Sequence, residues 1–265
     1  MRRLREFRGF HGLPSSTSKM KRIALILGIA LVGNATCQTA SPLTRSSLHP
    51  RAAAAAARVR PALERDLEKS GLKLGDPVFI RAFKEERQLE LFLLNRRNGK
   101  FQLFRTYPIV AASGGLGPKL LEGDGQVPEG FYAVGPKAMK PDSRYHLAFN
   151  IGYPNAYDRA QSRTGSLIMV HGNQVSIGCL AMTDEKIEEI YTVCSGAHAG
   201  GQGYFRVHVF PFRMTAGRMQ QAAGGKWEDF WKNLKEGYDL FETRKVPPDV
   251  TVRSGRYHFA SEQTR

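Results

Sequence analysis

Short apolar segments separated by turn residues constrain the fold of this chain more than any other feature of its sequence. Val78 to Ala82 and Leu89 to Leu94 flank a charged KEERQ segment, and Asn98-Gly99 then leads into Phe101 to Val110. An Asn-Gly pair between apolar runs is a strong hairpin signal, so these three segments are predicted to be neighbouring strands. Further apolar runs lie at 131–134, 167–170 and 204–210.

Helical periodicity is confined to a few segments. Leu63 to Ser70 has a short helical pattern that Gly71 ends. A second helix is predicted after Thr183, which is a favourable N-cap residue. Its apolar face falls at three- and four-residue spacing, at Ile187, Ile190, Tyr191 and Cys194. Trp227 to Phe241 is predicted to be another amphipathic helix.

These elements predict a mainly β fold with a few helices, in a single domain over residues 63–250. The glycine-rich stretch 113–130 is predicted to be largely loop, and 251–265 a C-terminal tail. With 42% apolar residues and three cysteines, the chain is neither wholly disordered nor a disulfide-stapled scaffold.

The formal charge of +15 is concentrated at the N-terminus. Residues 1–60 hold eleven Lys and Arg side chains and one acid, which accounts for +10, and the remaining 205 residues carry only +5. Because that remainder has no long basic run, the charge does not indicate a nucleic-acid-binding protein.

Residues 1–40 have the layout of a secretory signal. Basic residues precede an uncharged apolar run at 23–33, which is short for a membrane-spanning helix and is also compatible with a buried core segment. Cys37 lies where a lipid-modified cysteine would stand, and either Met1 or Met20 is a candidate start. Residues 41–62, with six consecutive alanines, are predicted to be a tether that is partly helical through the alanines. We expect a periplasmic protein of the cell envelope, with any membrane contact made through its N-terminus.

The segment LIMVHGNQVSIGCLAM contains the residues most suited to catalysis. His171 ends an apolar run, and Cys179 follows eight residues later, after a short turn that contains Ser176 and Gly178. A histidine within reach of a cysteine can act as its base and favour the thiolate. Gly178 lets a substrate carbonyl approach the backbone closely, and the N–H groups around Gly178 and Cys179 are candidate donors of an oxyanion hole. From residue types alone, a buried structural cysteine and a hydrogen-bonded structural histidine remain an alternative.

The HG and SxGC peptides of this segment resemble the signature of the L,D-transpeptidase catalytic-domain (YkuD-type) family. Between residues 78 and 242 the chain is similar to the YafK-like branch of that family in a series of peptides, among them FKEERQLEL, SGGLGPK, EGDGQVPEGFYAV, KPDSRYHLAFNIGYPNAYDRA and FWKNLKEGYDLFE. The resemblance implies a mixed β-sandwich. It also implies Cys179 as the nucleophile, His171 as the general base, and Ser176 and Gly178 as residues that shape the turn and the oxyanion site.

Acyl transfer at meso-diaminopimelate in peptidoglycan peptide stems is the reaction that this resemblance implies, with no metal or organic cofactor. Most of the family has SHGCxR, whereas Ile177 and Ala181 replace the second His and the Arg here. The acceptor therefore stays open. Water in place of an amine would make the protein a hydrolase of a stem-peptide or lipoprotein attachment, with an envelope lipoprotein as a possible partner. A non-catalytic peptidoglycan-binding module is the second alternative.

Substrate contacts are expected from polar and aromatic residues that precede the candidate site. These are Lys119, Arg144, Tyr153, Asn155, Tyr157 and Arg159. The alternative is that they stabilise turns or are solvated. A zinc site is a further alternative, with Cys179, Cys194, His198 and His208 as candidate ligands, but no paired CxxC or HExxH motif accompanies these residues.

Overall fold

The first three strands form a meander, as their turn residues predict. In the computed structural model, which describes residues 49–260, β1 (Val78–Phe83) pairs antiparallel with β2 (Gln88–Asn95), which pairs with β3 (Lys100–Pro108). Gly99 in the second turn has a φ of 68°, a left-handed conformation that glycine adopts readily. The sheet continues from β1 to strands from later in the chain.

A second five-stranded sheet contains the segment with the candidate catalytic residues. Its strands lie in the order β4 (Ala111–Ala112), β9 (Leu180–Ala181), β8 (Met169–His171), β7 (Ala148–Asn150) and β6 (Met139–Lys140). Strands β8 and β9 are parallel, and the other pairs are antiparallel. The strand predicted at 167–170 begins two residues later, because Leu167 has a φ of 55° and lies outside the ladder.

The first sheet is completed by β10 (Phe205–Phe210), parallel to β1, and β5 (Gly130–Val134), antiparallel to β10. Side chains of β10 enter two hydrophobic clusters. Val207 and Val209 belong to the larger one, and Phe210 belongs to a mainly aromatic one. The alternation follows from the two-residue period of a strand, which sends successive side chains to opposite faces.

In the part of the chain that the structure describes, five α-helices flank the sheets: α1 (Pro50–Lys69), α2 (Ala156–Ala160), α3 (Asp184–Ala199), α4 (Ala216–Gln221) and α5 (Glu228–Arg244). The predicted cap of α3 is confirmed, since the Thr183 hydroxyl accepts the Lys186 N–H. All four residues of its predicted apolar face are buried. The expectation of a mainly β fold with a few helices is thus confirmed. Between residues 49 and 260, none of the helices has both the length and the apolar character that a membrane crossing requires.

Residues 50–62 form most of α1, so the helix that the alanine run allowed is present, but the tether prediction is wrong for these residues because the helix packs into the core. Ala52 and Ala55 are buried in the larger cluster with Leu63 and Leu67. Methyl side chains allow α1 to lie close against α3, so a run of low hydropathy becomes part of the core. The folded part of the chain therefore starts before residue 63.

The predicted C-terminal tail is also partly wrong. Strands β11 (Val250–Arg253) and β12 (Arg256–Phe259) form a hairpin, and Tyr257 is buried in the aromatic cluster. The expectations for the signal segment 1–40, for residues 41–48 and for Cys37 lie outside the described residues.

Candidate active site

The parallel pairing of β8 and β9 brings Cys179 and His171 to one strand pair. Val170 pairs with Leu180, so Cys179 lies beside Met169, two residues before His171 along β8. The Met169 N–H donates to the Cys179 sulfur at 3.4 Å, and the thiol lies 3.7 Å from the Leu167 carbonyl oxygen. The sulfur makes these contacts rather than a hydrogen bond with the imidazole. Residues eight apart in sequence are therefore close in space.

His171 is a buried, neutral imidazole. Its Nδ1 lies 2.5 Å from the Gly172 carbonyl oxygen, which can only accept, so Nδ1 carries the proton and Nε2 carries the lone pair. Burial lowers the pKa of His171 below its ordinary value, and the Gly172 carbonyl only partly opposes this. The imidazole is therefore unprotonated at neutral pH, the state that a general base requires.

The turn after His171 depends on two glycines. A Cβ at Gly172 would lie 2.5 Å from Asp184 Oδ1, the atom that accepts the Asn173 N–H at 2.7 Å. Gly178 has a φ of 95°, which other residues rarely adopt. Glycine is therefore needed at 172 because Asp184 leaves no room for a side chain, and at 178 because the backbone is left-handed.

The backbone N–H groups of Gly178 and Cys179, which were the expected oxyanion donors, are hydrogen-bonded to serine hydroxyls. The Cys179 N–H donates to Ser176 Oγ at 3.1 Å, and Ser176 in turn donates to the Cys179 carbonyl at 2.6 Å. The Gly178 N–H donates to Ser113 Oγ at 2.6 Å. Ser176 and Gly178 therefore shape the turn, but neither the Gly178 N–H nor the Cys179 N–H is free to bind an oxyanion in this conformation.

The glycine-rich stretch 113–130 is largely irregular, as predicted, and it is well anchored. The ammonium of Lys84 donates to the carbonyls of Gly117 and Val127 and to the buried carboxylate of Glu129. Ser113 donates to the Gly125 carbonyl at 2.6 Å while accepting from Gly178. The loop thus holds the turn that precedes Cys179. Sequence reasoning missed Ser113 because no local pattern distinguishes it.

Electrostatics at the site favour a neutral thiol. Burial raises the pKa of Cys179 above its ordinary value, and the Met169 N–H and the charge of Lys119 offset this effect only in part. Lys119 itself is buried, and its ammonium lies 2.5 Å from Asp124 Oδ1. The expectation that the surroundings favour a thiolate is therefore wrong for the resting chain, which holds a thiol and a neutral imidazole.

Three of the residues predicted to bind substrate are engaged in the fold. The Tyr153 hydroxyl lies 3.2 Å from the Lys119 carbonyl oxygen and 3.1 Å from that of Thr164, one of which accepts its proton, and Asn155 caps α2. Tyr157 is buried against Tyr257, with ring centroids 4.3 Å apart. These contacts satisfy the hydroxyl of Tyr153 and the amide of Asn155, and they place the Tyr157 ring in the core. These contacts give the three residues a structural role, and their contact with substrate stays a prediction.

The two predicted arginines differ in their surroundings. Arg144 is exposed, and its contact with substrate stays a prediction. Arg159 donates to the Pro154 carbonyl and lines a cavity of about 440 Å³ together with Asn155 and Arg206. Neither Cys179 nor His171 lines that cavity. Lys119 alone of the six predicted residues acts electrostatically on the thiol.

The alternative zinc site does not assemble. Among residues 49–260, no three or more His, Cys, Asp or Glu side chains are arranged to hold a metal ion. Cys194 is buried on the apolar face of α3, and His208 lies edge-on between the rings of Phe79 and Phe131. These residues belong to the core instead.

A family model described as the L,D-transpeptidase catalytic domain, YkuD, matches residues 77–237, which is more than half of the chain. The chain belongs to the L,D-transpeptidase catalytic domain family. Its strands β8 and β9, the turn between them and helix α3 all lie inside the matched range. The resemblance inferred from the HG and SxGC peptides is thereby confirmed.

Relatives in sequence include "Putative L,D-transpeptidase YafK" of Escherichia coli, in strain K12 and in O157:H7. Each is 49% identical over 184 residues, which is 69% of this chain and 74% of the relative. Among solved structures, the helical cell shape determining protein Pgp2 of Campylobacter jejuni (K307A mutant) matches with 18% identity and a TM-score of 0.42, over 72% of this chain and 78% of Pgp2. Bd1075 of Bdellovibrio bacteriovorus matches with 18% identity and a TM-score of 0.37, over 68% and 78%.

Proposed function

We propose that this protein is a cysteine acyltransferase that acts on peptidoglycan peptide stems at meso-diaminopimelate. The observation that carries the proposal is the register of β8 and β9, which brings the Cys179 thiol and the neutral His171 imidazole to one strand pair. Membership of the L,D-transpeptidase catalytic domain family supplies the substrate class. Peptidoglycan lies outside the cytosol, so the same proposal implies an envelope or periplasmic location.

The first step is attack of the Cys179 sulfur on the carbonyl carbon of a diaminopimelate residue. His171 Nε2 takes the thiol proton as the C–S bond forms, because the neutral pair has no preformed thiolate. The tetrahedral intermediate then expels the amine of the following residue, which leaves with the proton from the imidazolium. A thioester at Cys179 remains, and no redox change occurs.

An amine or water completes the reaction. In transfer, a second stem's amine attacks the thioester, gives a proton to His171, and releases the thiol with a new amide bond. In hydrolysis, water attacks in the same way and releases a carboxylate. Hydrolysis is the second candidate function, favoured by Ala181, which stands where the family's SHGCxR pattern has an arginine that would orient an acidic group. Its substrate class is then a stem-peptide amide or a lipoprotein attachment.

Ser176 and Gly178 act in this proposal by fixing the nucleophile. The reciprocal bonds between Ser176 and Cys179 lock the backbone from which the thiol projects. Gly178 permits the left-handed turn, and its N–H reaches Ser113. An oxyanion that replaced the Ser113 hydroxyl oxygen at this N–H would find a donor already oriented.

Purified protein incubated with disaccharide-tetrapeptide stems tests the proposal, with products separated and weighed by mass spectrometry. We expect release of D-alanine with either a cross-linked or a hydrolysed stem, and a covalent adduct at Cys179. Cys179→Ala is the inactive control, because a methyl group replaces the thiol at little cost in packing. Stems that carry a lipoprotein peptide, compared with stems that lack it, separate transfer from hydrolysis. Absence of both product and adduct would leave a non-catalytic wall-binding module.

A further inference from the structure

The ring of Tyr145 covers the imidazole of His171. The two ring centroids are 4.8 Å apart with an interplanar angle of 35°, and Tyr145 is 43% exposed while His171 is 2% exposed. An exposed aromatic ring on the surface side of a buried histidine excludes water from it. Tyr145 is therefore the side chain that separates the candidate base from solvent on this side.

Close packing against Gly172 and a backbone hydrogen bond fix the segment that carries Tyr145. The backbone of Tyr145 lies so close to Gly172 that a Cβ there would be 3.0 Å from the Tyr145 carbonyl oxygen. The Gly172 N–H donates to the Leu147 carbonyl at 3.1 Å. His146 has a φ of 65°, a conformation that a non-glycine residue adopts only where its surroundings impose it.

Helix α1 supplies part of those surroundings. The guanidinium of Arg51 donates to the carbonyls of Ser143 and His146, at 2.6 and 2.7 Å. One residue before Tyr145 and one residue after it therefore accept hydrogen bonds from the same side chain of α1. These bonds span more than 90 positions of sequence, so they depend on the docking of α1.

A buried carboxylate adds a second connection between α1 and the segment. Glu188 of α3 is 7% exposed and forms a two-point ion pair with the guanidinium of Arg58. His146 Nε2 lies 2.7 Å from the same carboxylate. Since Glu188 contacts both, the position of Arg58 on α1 is coupled to that of His146.

We propose that Tyr145 is a positioning residue for His171, and that helix α1 holds it in place through Arg51 and Arg58. The inference rests on the proposed function, in which His171 is the base. Without the ring, the imidazole gains water and rotational freedom, and the position of its Nε2 is less well defined. Misplacement of a catalytic group by about 1 Å can cost about 100-fold in rate.

Tyr145→Phe and Tyr145→Ala in the full chain separate the ring from the hydroxyl. We expect the phenylalanine variant to retain kcat within about twofold, because the stacked ring remains. The alanine variant should lose about 10- to 100-fold in kcat with little change in KM. Because Tyr145 is partly exposed, its removal opens no cavity in the core. Equal losses in both variants, or no loss in either, would overturn the role of the ring.

Imidazole NMR of His171 provides a readout that does not require turnover. The charged or titratable groups near the ring are Cys179, Asp184 of α3, and the His146–Glu188 pair of the neighbouring segment. Because burial lowers the pKa of His171, Tyr145→Ala should raise that pKa toward its ordinary value, and Tyr145→Phe should not. An unchanged titration in Tyr145→Ala contradicts the proposal, even if the chain proves inactive and the proposed function fails.

Arginine variants test the contribution of α1. Arg51→Ala and Arg58→Ala should lower kcat by about threefold to tenfold and shift the His171 titration in the same direction as Tyr145→Ala. Arg60→Ala is the matched control, because Arg60 lies on the same helix and, among residues 49–260, forms its ion pair with Glu64 of that helix. Its kcat and titration should match the unaltered chain. If Arg51→Ala and Arg58→Ala behave like Arg60→Ala, α1 does not hold Tyr145.

Discussion

Ser113 and Gly178, 65 residues apart in sequence, are joined by a 2.6 Å hydrogen bond from the Gly178 N–H to the Ser113 hydroxyl. This bond connects the glycine-rich loop to the turn that ends at Cys179. The loop is in turn anchored to the core by the buried Lys84–Glu129 pair. The position of the nucleophile therefore depends on residues that no local motif includes.

Gly178→Ala should impair the site more than the fold. Its φ of 95° is strained for alanine, and the new Cβ would lie 3.3 Å from the Gln126 carbonyl oxygen. We expect a loss of about 100-fold in turnover and about 1–3 kcal/mol in the free energy of unfolding. Gly115→Ala in the neighbouring loop is the control, since no atom lies within 4 Å of its Cβ and its φ is not left-handed. Comparable losses in both variants would contradict this reading of Gly178.

The rate of Cys179 alkylation should rise with pH into the alkaline range. Burial raises the pKa of this thiol above its ordinary value, so the thiolate fraction grows only as the pH passes that raised pKa. Iodoacetamide labelling followed by peptide mass spectrometry measures the profile. A rate that is constant above pH 7 would show a thiolate in the resting chain and contradict the neutral pair.

Lys119→Met should move the same alkylation profile to higher pH. The charge of Lys119 lowers the pKa of Cys179, so its removal leaves the effect of burial less opposed and slows labelling at pH 8. Lys100→Met removes an equal charge from an exposed position in β3 and serves as the control. Identical profiles for the two variants would dismiss an electrostatic role for Lys119.

Lys84→Met should destabilise the domain strongly. Lys84 and Glu129 are both buried, and the substitution leaves the Glu129 carboxylate with the Gly117 N–H and the Trp231 indole but no cation. Breaking a buried ion pair from one side costs about 3–5 kcal/mol, measurable by urea unfolding. Lys232→Met, which breaks a pair on the exposed face of α5, should leave the unfolding midpoint unchanged. A midpoint for Lys84→Met equal to that of the control would show that the pair is not needed.

Ala55→Asp should show that α1 belongs to the folded domain. Ala55 is fully buried, so an aspartate there should lower the free energy of unfolding by about 2–4 kcal/mol. Ala54→Asp next to it is exposed and should cost no more than about 0.7 kcal/mol, the difference in helix propensity. Equal stabilities for the two variants would restore the tether interpretation of residues 50–62.

The sequence alone was sufficient to predict those structural elements whose determinants lie within a few residues of each other. The strands at 78–83, 88–95 and 205–210, the turn at Gly99 and the Thr183 cap depend on periodicity, turn residues and short hydrogen bonds within a few positions. These are effects that residue type and spacing specify directly. The parallel pairing of β8 and β9, which brings the His171 and Cys179 segments together, is not among them, because a short connection between consecutive strands favours an antiparallel pair.

Tertiary structure alone decided the features that depend on distant partners. Ser113 and Tyr145 carry no local signal, and each acquires its role from contact with Gly178 or His171. The alanine run of α1 has too little hydropathy to predict burial, yet α3 provides a surface that covers it. The protonation state of Cys179 was mispredicted, because desolvation depends on which atoms surround the sulfur, and the chain order of the residues does not contain that information.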